Sequence, residues 1–508
     1  MSTLITAMAS TNAYASISIM ISDLSLPLGL WAIGSVLMLV LEIYIIEFGP
    51  SERVTKYLSL VPITILAGSV ITSINILWLA IILFWDLLNA MRLFERRMED
   101  IVLIKKVASA WAELVAIKLI AAIIYYLVNY LNLAQNQIID AIGIFSVLIN
   151  IVFIVTVIIR LGKSHIGKIN KINNDKLPTV TLAIPARNEN HALKEALDCA
   201  LTSNYPKLEI LVLDDCSQDD TSGTIREYAH SGIRFIKGER PVEGWLGKNY
   251  AYKLLAEEAS GEIIVFCGVD VHFSPNSLRR IIEYMIDSNL SMISVMPERR
   301  KRDLLPNLFS SLRYFWQIVF PHELFGGKPV LSSCWAINKK FLSNCGDFKR
   351  VYSQVIPEEY FAKVAANNKK YKFLISDHTL GITTRKKFGS QLETSVRNWY
   401  PQMGKNLNHA LSAAITILIC FIIPFFYLAE LFIIKPSAIS LWMIFSFFLA
   451  ILLHITVSIK INHANWLMSL INIPLVSIIE IGVLCWSMLM YEFGKIYWKG
   501  RNVCLPYK

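Results

Sequence analysis

Four short clusters between Thr181 and Asp270 combine ionisable residues with glycines at the ends of apolar runs. The first reads Thr181-Leu-Ala-Ile-Pro-Ala-Arg-Asn-Glu189. Here Arg187 suits a phosphate contact, and Glu189 can receive a ribose or base edge. The same residues, Pro185 to Glu189, also read as a turn into a helix capped by Asn188. In the second, Asp214-Asp215 ends an apolar run, with Ser217 and Asp220-Thr221 beyond. Two carboxylates at a strand end can accept hydrogen bonds from a base and a ribose. A turn followed by a helix N-cap explains the same residues. The third, Gly244-Trp-Leu-Gly247-Lys248, places an ammonium where a glycine loop opens a helix. That arrangement suits a diphosphate, although a surface turn around a packed Trp gives the same pattern. The fourth ends on Asp270, whose carboxylate can hold a divalent ion bridging two phosphates. His272 adds a second ligand there, or is a partly buried structural histidine.

Two later stretches add to these. Glu358-Glu359 follows Pro357 at an apparent helix start. Acidic residues there complement the helix dipole, and either carboxylate can act as a general base toward a hydroxyl. Gln391, Arg397 and Trp399 lie in an amphipathic stretch before a greasy segment. It reads as an interfacial helix with a Trp anchor, and it can lie beneath a site as well.

These residues need a scaffold. Val180–Ile184, Leu208–Leu213, Ile233–Ile236 and Ile263–Cys267 read as strands, with helices over Asn190–Thr202, Asp219–Ala229 and Lys248–Ala259 and another opening at Ser274-Pro275. Such alternation predicts an α/β domain with a doubly wound, mostly parallel sheet. Ligands of such sheets bind beyond the carboxyl ends of the strands, where three of the clusters fall.

The 508-residue chain is 54% hydrophobic and 17% charged, too apolar for an ordinary soluble protein. Long apolar runs at 28–47, 58–88, 109–131 and 139–161, and again at 411–434, 439–459 and 465–490, are candidate membrane spans. The expected organisation is a transmembrane region over 1–164, a cytosolic α/β domain over 165–405, a second transmembrane region over 406–494 and a basic tail over 495–508. The net charge of +10 does not signal nucleic acid. Its basic residues cluster beside the spans, as at Arg92 to Lys106 and Arg160 to Lys176, following the positive-inside bias. By the same bias the tail is cytosolic, which three crossings after a cytosolic domain do not allow. Eight scattered cysteines without a Cys-x-x-Cys pair fit a reducing compartment, and no cleaved signal peptide is expected.

Taken together, the order and spacing resemble glycosyltransferase family 2, with its GT-A nucleotide-sugar fold. Pro185 to Glu189 matches the Pro-x-Arg-Asn-Glu opening, and Asp214, Asp215, Ser217, Asp219 and Thr221 match Asp-Asp-x-Ser-x-Asp-x-Thr. Gly244 to Lys248 is similar to the Gly-Trp-x-Gly-Lys loop of the hopene-associated and carotenoid-type lipid glycosyltransferases, and Trp498-Lys-Gly-Arg501 to their closing motif. Ser333 to Lys340 loosely resembles the acceptor region, placing Trp335 on the acceptor side with Gln391, Arg397 and Trp399.

The resemblance implies inverting transfer of a sugar from a nucleotide diphosphate, a uridine one by expectation, to a hydroxyl of a lipid or lipid-linked acceptor at the cell membrane. Pro185, Arg187, Glu189, Asp214, Asp215, Gly247 and Lys248 would bind the donor; Asp270 and His272 would hold Mg²⁺ or Mn²⁺; Glu359, beside Glu358, would be the base. Three departures stand out. Gly268 replaces the first Asp of the family's Asp-x-Asp, Glu359 replaces the Asp of its base motif, and the Gln-x-x-Arg-Trp element of processive members is only loosely kept. The loss at Gly268 leaves a catalytically impaired nucleotide-sugar-binding scaffold as an alternative. A transporter with a regulatory domain predicts ionisable residues lining a path; those in the spans, Glu480 among them, are few and dispersed.

Overall fold

A computed structural model describes residues 135–508, apart from 168, 300–310, 386–387, 434–438, 462–471, 493–495 and 505–508. The candidate spans at 28–47, 58–88 and 109–131 lie outside the described residues. The chain divides into two compact units, Met1–Gln135 and Asn136–Lys508. The helix expected over 139–161 thus groups with the second unit.

That unit opens with α1 (Gln135–Lys163) and continues as β1 (Val180–Ala186), α2 (Asn190–Leu201), β2 (Leu208–Asp214), α3 (Thr221–Glu227), β3 (Ile233–Lys237), α4 (Gly247–Glu258) and β4 (Ile263–Cys267). Then come β5 (Val271–Phe273), α5 (Ser277–Asp287), β6 (Met292–Met296), β7 (Glu298–Arg299), α6 (Ser311–Val319), β8 (Cys334–Asn338), α7 (Lys339–Asn344), α8 (Pro357–Asn367), β9 (Tyr371–Ile375), β10 (Ile382–Thr384) and α9 (Phe388–Gln402). The remainder is α10 (Leu407–Ile417), a π turn (Leu418–Ile422), α11 (Ile423–Ile433), α12 (Leu441–Ile461), α13 (Ile473–Glu492), β11 (Tyr497–Trp498) and β12 (Arg501–Asn502).

Seven strands form one sheet in the order β3-β2-β1-β4-β8-β6-β9. Only β8 runs antiparallel to its neighbours β4 and β6; the other pairs are parallel. Every residue of β4 and β6 is buried, as a sheet covered on both faces requires. Side chains alternate between two cores. Leu182, Ile184, Val212 and Val265 meet α2, α3 and α5, whereas Ala183, Leu211 and Phe266 meet α4 and α8. The result is three layers, α/β/α. A small second sheet, β5-β10-β7, pairs β10 with strands far earlier in the chain, so local pattern gave no sign of β5 and the helix expected from Ser274 begins at Ser277.

Four described helices are long and apolar enough to cross a membrane: Gln137–Lys163, Leu407–Leu431, Leu441–Ile461 and Ile473–Tyr491. A third core joins α1, α12 and α13 to α6 and α9 of the α/β domain. Small and polar residues let α1 and α12 approach. Ser146 bonds Ser446 at 2.5 Å and Ser440 bonds Asp140 at 2.5 Å. Arg160, at the end of α1, donates from Nη1 to the carbonyls of Gln317, Ile318 and Phe320 at 2.8 Å each. It thereby satisfies otherwise unpaired carbonyls at the end of α6.

Candidate active site

The register sets Ala186 of β1 beside Asp214 of β2, and Asp214 beside Lys237 of β3. Arg187 and Asp215 therefore emerge together at the carboxyl edge. Pro185 pairs with Leu213 but lies beyond Ala183, the last β1 residue paired with β4, where a missing N–H costs the ladder little. Because β8 runs the other way, its beginning reaches this edge. Ser332 and Ser333 precede it, and Gly268 N–H donates to the Ser333 carbonyl at 3.0 Å.

Arg187 is buried and knits the edge together. Its Nη1 donates to the carbonyls of Asp215 at 2.5 Å and Cys216 at 2.9 Å, and its Nε to that of Lys499 at 3.0 Å. Burial pushes its guanidinium below the ordinary value, and neighbouring Arg501 pushes the same way. Asp214 accepts from Ser217 N–H at 3.1 Å and from the Ser222 hydroxyl, so it closes the loop after β2. Asp215 receives Arg501 Nη1 on both carboxylate oxygens, at 2.8 and 2.7 Å. Burial raises its pKa, and Arg501 opposes that rise. Glu189 forms an ion pair with Lys499. Both partners come from the β11–β12 hairpin at the end of the chain. Its turn, Lys499-Gly500, has positive φ at both residues (48° and 79°), the conformation of a tight two-residue hairpin. Trp498 to Arg501 stands out in the sequence as a motif, but nothing local places Lys499 or Arg501 at the site.

Gly247 opens α4, and a β-carbon there would lie 2.4 Å from Arg501 Nη1, so the position admits little more than glycine while Arg501 stays in place. Lys248 Nζ approaches the Glu358 carboxylate at 3.4 Å, and Ser332 donates to the same carboxylate. Glu358 is completely buried at the first turn of α8. Glu359 points elsewhere: its side chain is 32% exposed, pairs with Lys363 at 3.0 Å and borders Gly327. The adjacent glutamates thus occupy different surroundings, one beneath Lys248 and one open to solvent.

Asp270 lies just past β4, and its Oδ1 sits 2.7 Å from where a Gly268 β-carbon would be. His272 lies on β5 opposite Thr383, with Nε2 3.9 Å from Glu195. Among the described residues, no three His, Cys, Asp or Glu side chains converge as a metal-binding group. A hard cation here fits a site of one carboxylate completed by phosphate oxygens and water.

The expected acceptor-side residues separate. Trp335 is completely buried on β8, stacked on Phe266 at 4.5 Å and against Phe361 at 6.3 Å. The strand carrying it is sandwiched between β4 and β6, so its bulk fills the core under α4 and α8. Gln391 is buried and accepts from Arg299. Trp399 is buried against Trp316, whose Nε1 donates to Glu480 at 2.5 Å. Glu480 therefore has a structural partner. Arg397 alone of this group reaches the edge. Its guanidinium lies 4.8 Å from the Trp498 ring, and it lines one small cavity with Lys248 and Arg501.

Fold and edge define the class: an α/β domain that offers its ligand the carboxyl edge of a mostly parallel sheet. Residues 181–346 match the model of the family described as Glycosyl transferase family 2, and this part of the chain is a glycosyltransferase family 2 domain. The chain is similar to the UDP-Glc:alpha-D-GlcNAc-diphosphoundecaprenol beta-1,3-glucosyltransferase WfgD of Escherichia coli, 29% identical over 22% of this chain and 44% of that protein. It is also similar to the probable glycosyltransferase YdaM of Bacillus subtilis, 32% identical over 21% of this chain and 26% of that protein. The chain thus spans less than half the length of these relatives. Among solved structures, a mannosyltransferase of Pyrobaculum calidifontis in complex with GDP-Man and Mn²⁺ aligns over 71% of this chain and 99% of that one, at 15% identity and a TM-score of 0.43.

Proposed function

We propose that this protein is a membrane-embedded, inverting glycosyltransferase that moves one sugar from a nucleoside diphosphate to a hydroxyl of a lipid or lipid-linked acceptor. The observation that carries this reading is the coincidence of the family 2 match with the carboxylates, Lys248 and Glu358 at one sheet edge. The relative that acts on a diphosphoundecaprenol-linked sugar supports a lipid-linked acceptor. So do the four apolar helices packed on the domain, which would hold the site at headgroup level.

In this reading Glu189, Asp214 and Asp215 border the nucleoside and Lys248 meets the diphosphate, its ammonium aimed by Glu358 and Ser332. Asp270 would hold a divalent ion, which when bound neutralises charge on the departing diphosphate. Glu359 takes the proton from the acceptor hydroxyl as its oxygen attacks the sugar carbon. The role falls to Glu359 because it is partly open, whereas Glu358 is sealed from any incoming acceptor. Arg397 lies on the acceptor side of Lys248.

The tail hairpin bears on topology. It rejoins the edge of the domain that precedes α10. In this reading the chain leaves and returns on one side of the membrane, with an even number of complete crossings between Leu407 and Tyr491.

The test is Glu359→Gln in detergent-purified protein. It is expected to bind donor as the wild type does and to lose turnover by about 100-fold or more. Turnover within about threefold of wild type removes the base assignment.

A further inference from the structure

The turn between α6 and β8 leaves two large apolar side chains in the open. In Pro321-His-Glu-Leu-Phe-Gly-Gly-Lys328, Leu324 is 74% and Phe325 71% exposed, whereas Val242, elsewhere in the α/β domain, reaches 51%. Their exposure is comparable with that of Ile158 and Leu441 on the outer faces of the candidate spans. The turn itself is braced. Leu324 N–H donates to the Pro321 carbonyl at 3.0 Å and Gly327 N–H to that of His322 at 2.8 Å. Gly326 closes the turn at a φ of 68°, a left-handed conformation that glycine adopts without strain. Phe325 stacks on Phe320 at 5.1 Å, which fixes its ring. The turn is also tied to the end of a span. Glu323, beside Leu324, pairs at 2.7 Å with Arg160, and the same guanidinium holds the Phe320 carbonyl at 2.8 Å. Arg160 lies in the last turn of α1, which ends at Lys163, so the tie sits roughly 5 Å from the helix end along its axis. On its other flank the turn reaches Glu359: a β-carbon at Gly327 would lie 3.7 Å from Glu359 Oε1.

We propose that Leu324 and Phe325 form a membrane-inserting tip, which enters the boundary between headgroups and acyl chains in the leaflet where α1 ends. The assignment rests on the membrane-embedded reading given above. Adjacent leucine and phenylalanine side chains held in water by a braced turn are unfavourable. At the level where an apolar helix leaves the bilayer, the same pair withdraws its exposed area into lipid. An aromatic ring with a nearby cation, here Phe325 with half-buried Lys328 beyond the two glycines, suits the headgroup level. The occupant is therefore the bilayer that α1 itself crosses, reached without any change in the turn. A consequence is that Glu359 is held close to the lipid surface, where a hydroxyl borne by a lipid would meet it.

The test reconstitutes the full chain into phosphatidylcholine–phosphatidylglycerol vesicles whose acyl chains are plain or brominated, as wild type, Leu324→Trp and Phe325→Trp. The tryptophan fluorescence that each variant adds to wild type is read by difference. It should be blue-shifted and resist aqueous iodide. Bromine near the headgroup end of the chains should quench it more than bromine at the chain ends, as a depth of about 5–10 Å requires. Added emission that iodide quenches and brominated lipid does not overturns the proposal, because the tip then stands in water. So does emission shielded from both quenchers, which would mean that another part of the chain, a second copy or a partner protein covers the tip. Should one variant fail to fold, the other decides. If wild type does not float with the vesicles, the membrane-embedded reading itself falls, and the inserting tip with it.

Discussion

The buried pair Lys248–Glu358 allows a quantitative test of how the site is held together. Glu358 has no exposed surface and Lys248 retains 18% exposure, with 3.4 Å between nitrogen and oxygen. At an effective dielectric near 20, charges at that separation attract by about 5 kcal/mol before desolvation is counted. Desolvation of a fully enclosed carboxylate removes much of this, and the Ser332 hydroxyl returns some of it. A net coupling of about 1–3 kcal/mol is therefore expected. The perturbation is a double-mutant cycle of Lys248→Met, Glu358→Gln and the pair, read by denaturant unfolding in detergent. Each single variant should destabilise, because each leaves a polar partner buried, and the double variant should be much less harmful than the sum. Additivity within about 0.4 kcal/mol would mean that the two side chains do not feel one another and that the pair does not hold the site together.

Three further outcomes follow from the geometry. Trp335→Ala should destabilise by about 3–5 kcal/mol by opening a cavity among Phe266, Phe348 and Phe361; an unchanged melting temperature with lost lipid-dependent turnover would return Trp335 to the acceptor surface. Burial, with Arg160 nearby, pushes the His322 imidazole down to about 3. The unfolded chain therefore binds the extra proton first, and the stability contributed by neutral His322 is present above about pH 6.5 and lost as pH falls toward 3. Wild type should lose up to about 2 kcal/mol between pH 7 and pH 5 relative to His322→Asn; parallel pH profiles would exclude this. Gly268→Ala places a β-carbon 2.7 Å from Asp270 Oδ1 and must turn that carboxylate. The metal concentration for half-maximal turnover should rise about 10-fold, and an unmoved metal curve would show that Asp270 does not hold the ion.

The sequence carried the strands of the carboxyl edge closely. The strand expected over Ile263–Cys267 has those bounds, and the helix expected from Lys248 begins one residue earlier. Those elements are local: apolar runs of strand length, glycine punctuation and helix-start residues act within a few positions of one another. What was not legible is non-local. That Glu358 and Glu359 face different surroundings depends on where β8 delivers Ser332 and where Lys248 arrives from α4. Trp335 sits in a run that looks like an acceptor motif, yet its neighbours in space come from β4, α4 and α8, and these bury it. The basic tail read as a charge bias at a membrane face. Only the folded chain puts Lys499 and Arg501 on Glu189 and Asp215, more than 280 residues away. His272 carried two readings in the sequence, and the structure sets its ring toward Glu195 of α2.

Sugar transfer to a lipid is tested most directly by nucleotide release from the detergent-purified full chain. The protein would be given uridine- and guanosine-diphosphate sugars, with and without Mn²⁺ or Mg²⁺, and with and without a total lipid extract. Release of one nucleoside diphosphate is expected, and it should require both the divalent ion and the lipid. Donor binding with no release under any combination would contradict it, leaving a nucleotide-sugar-binding protein that does not transfer.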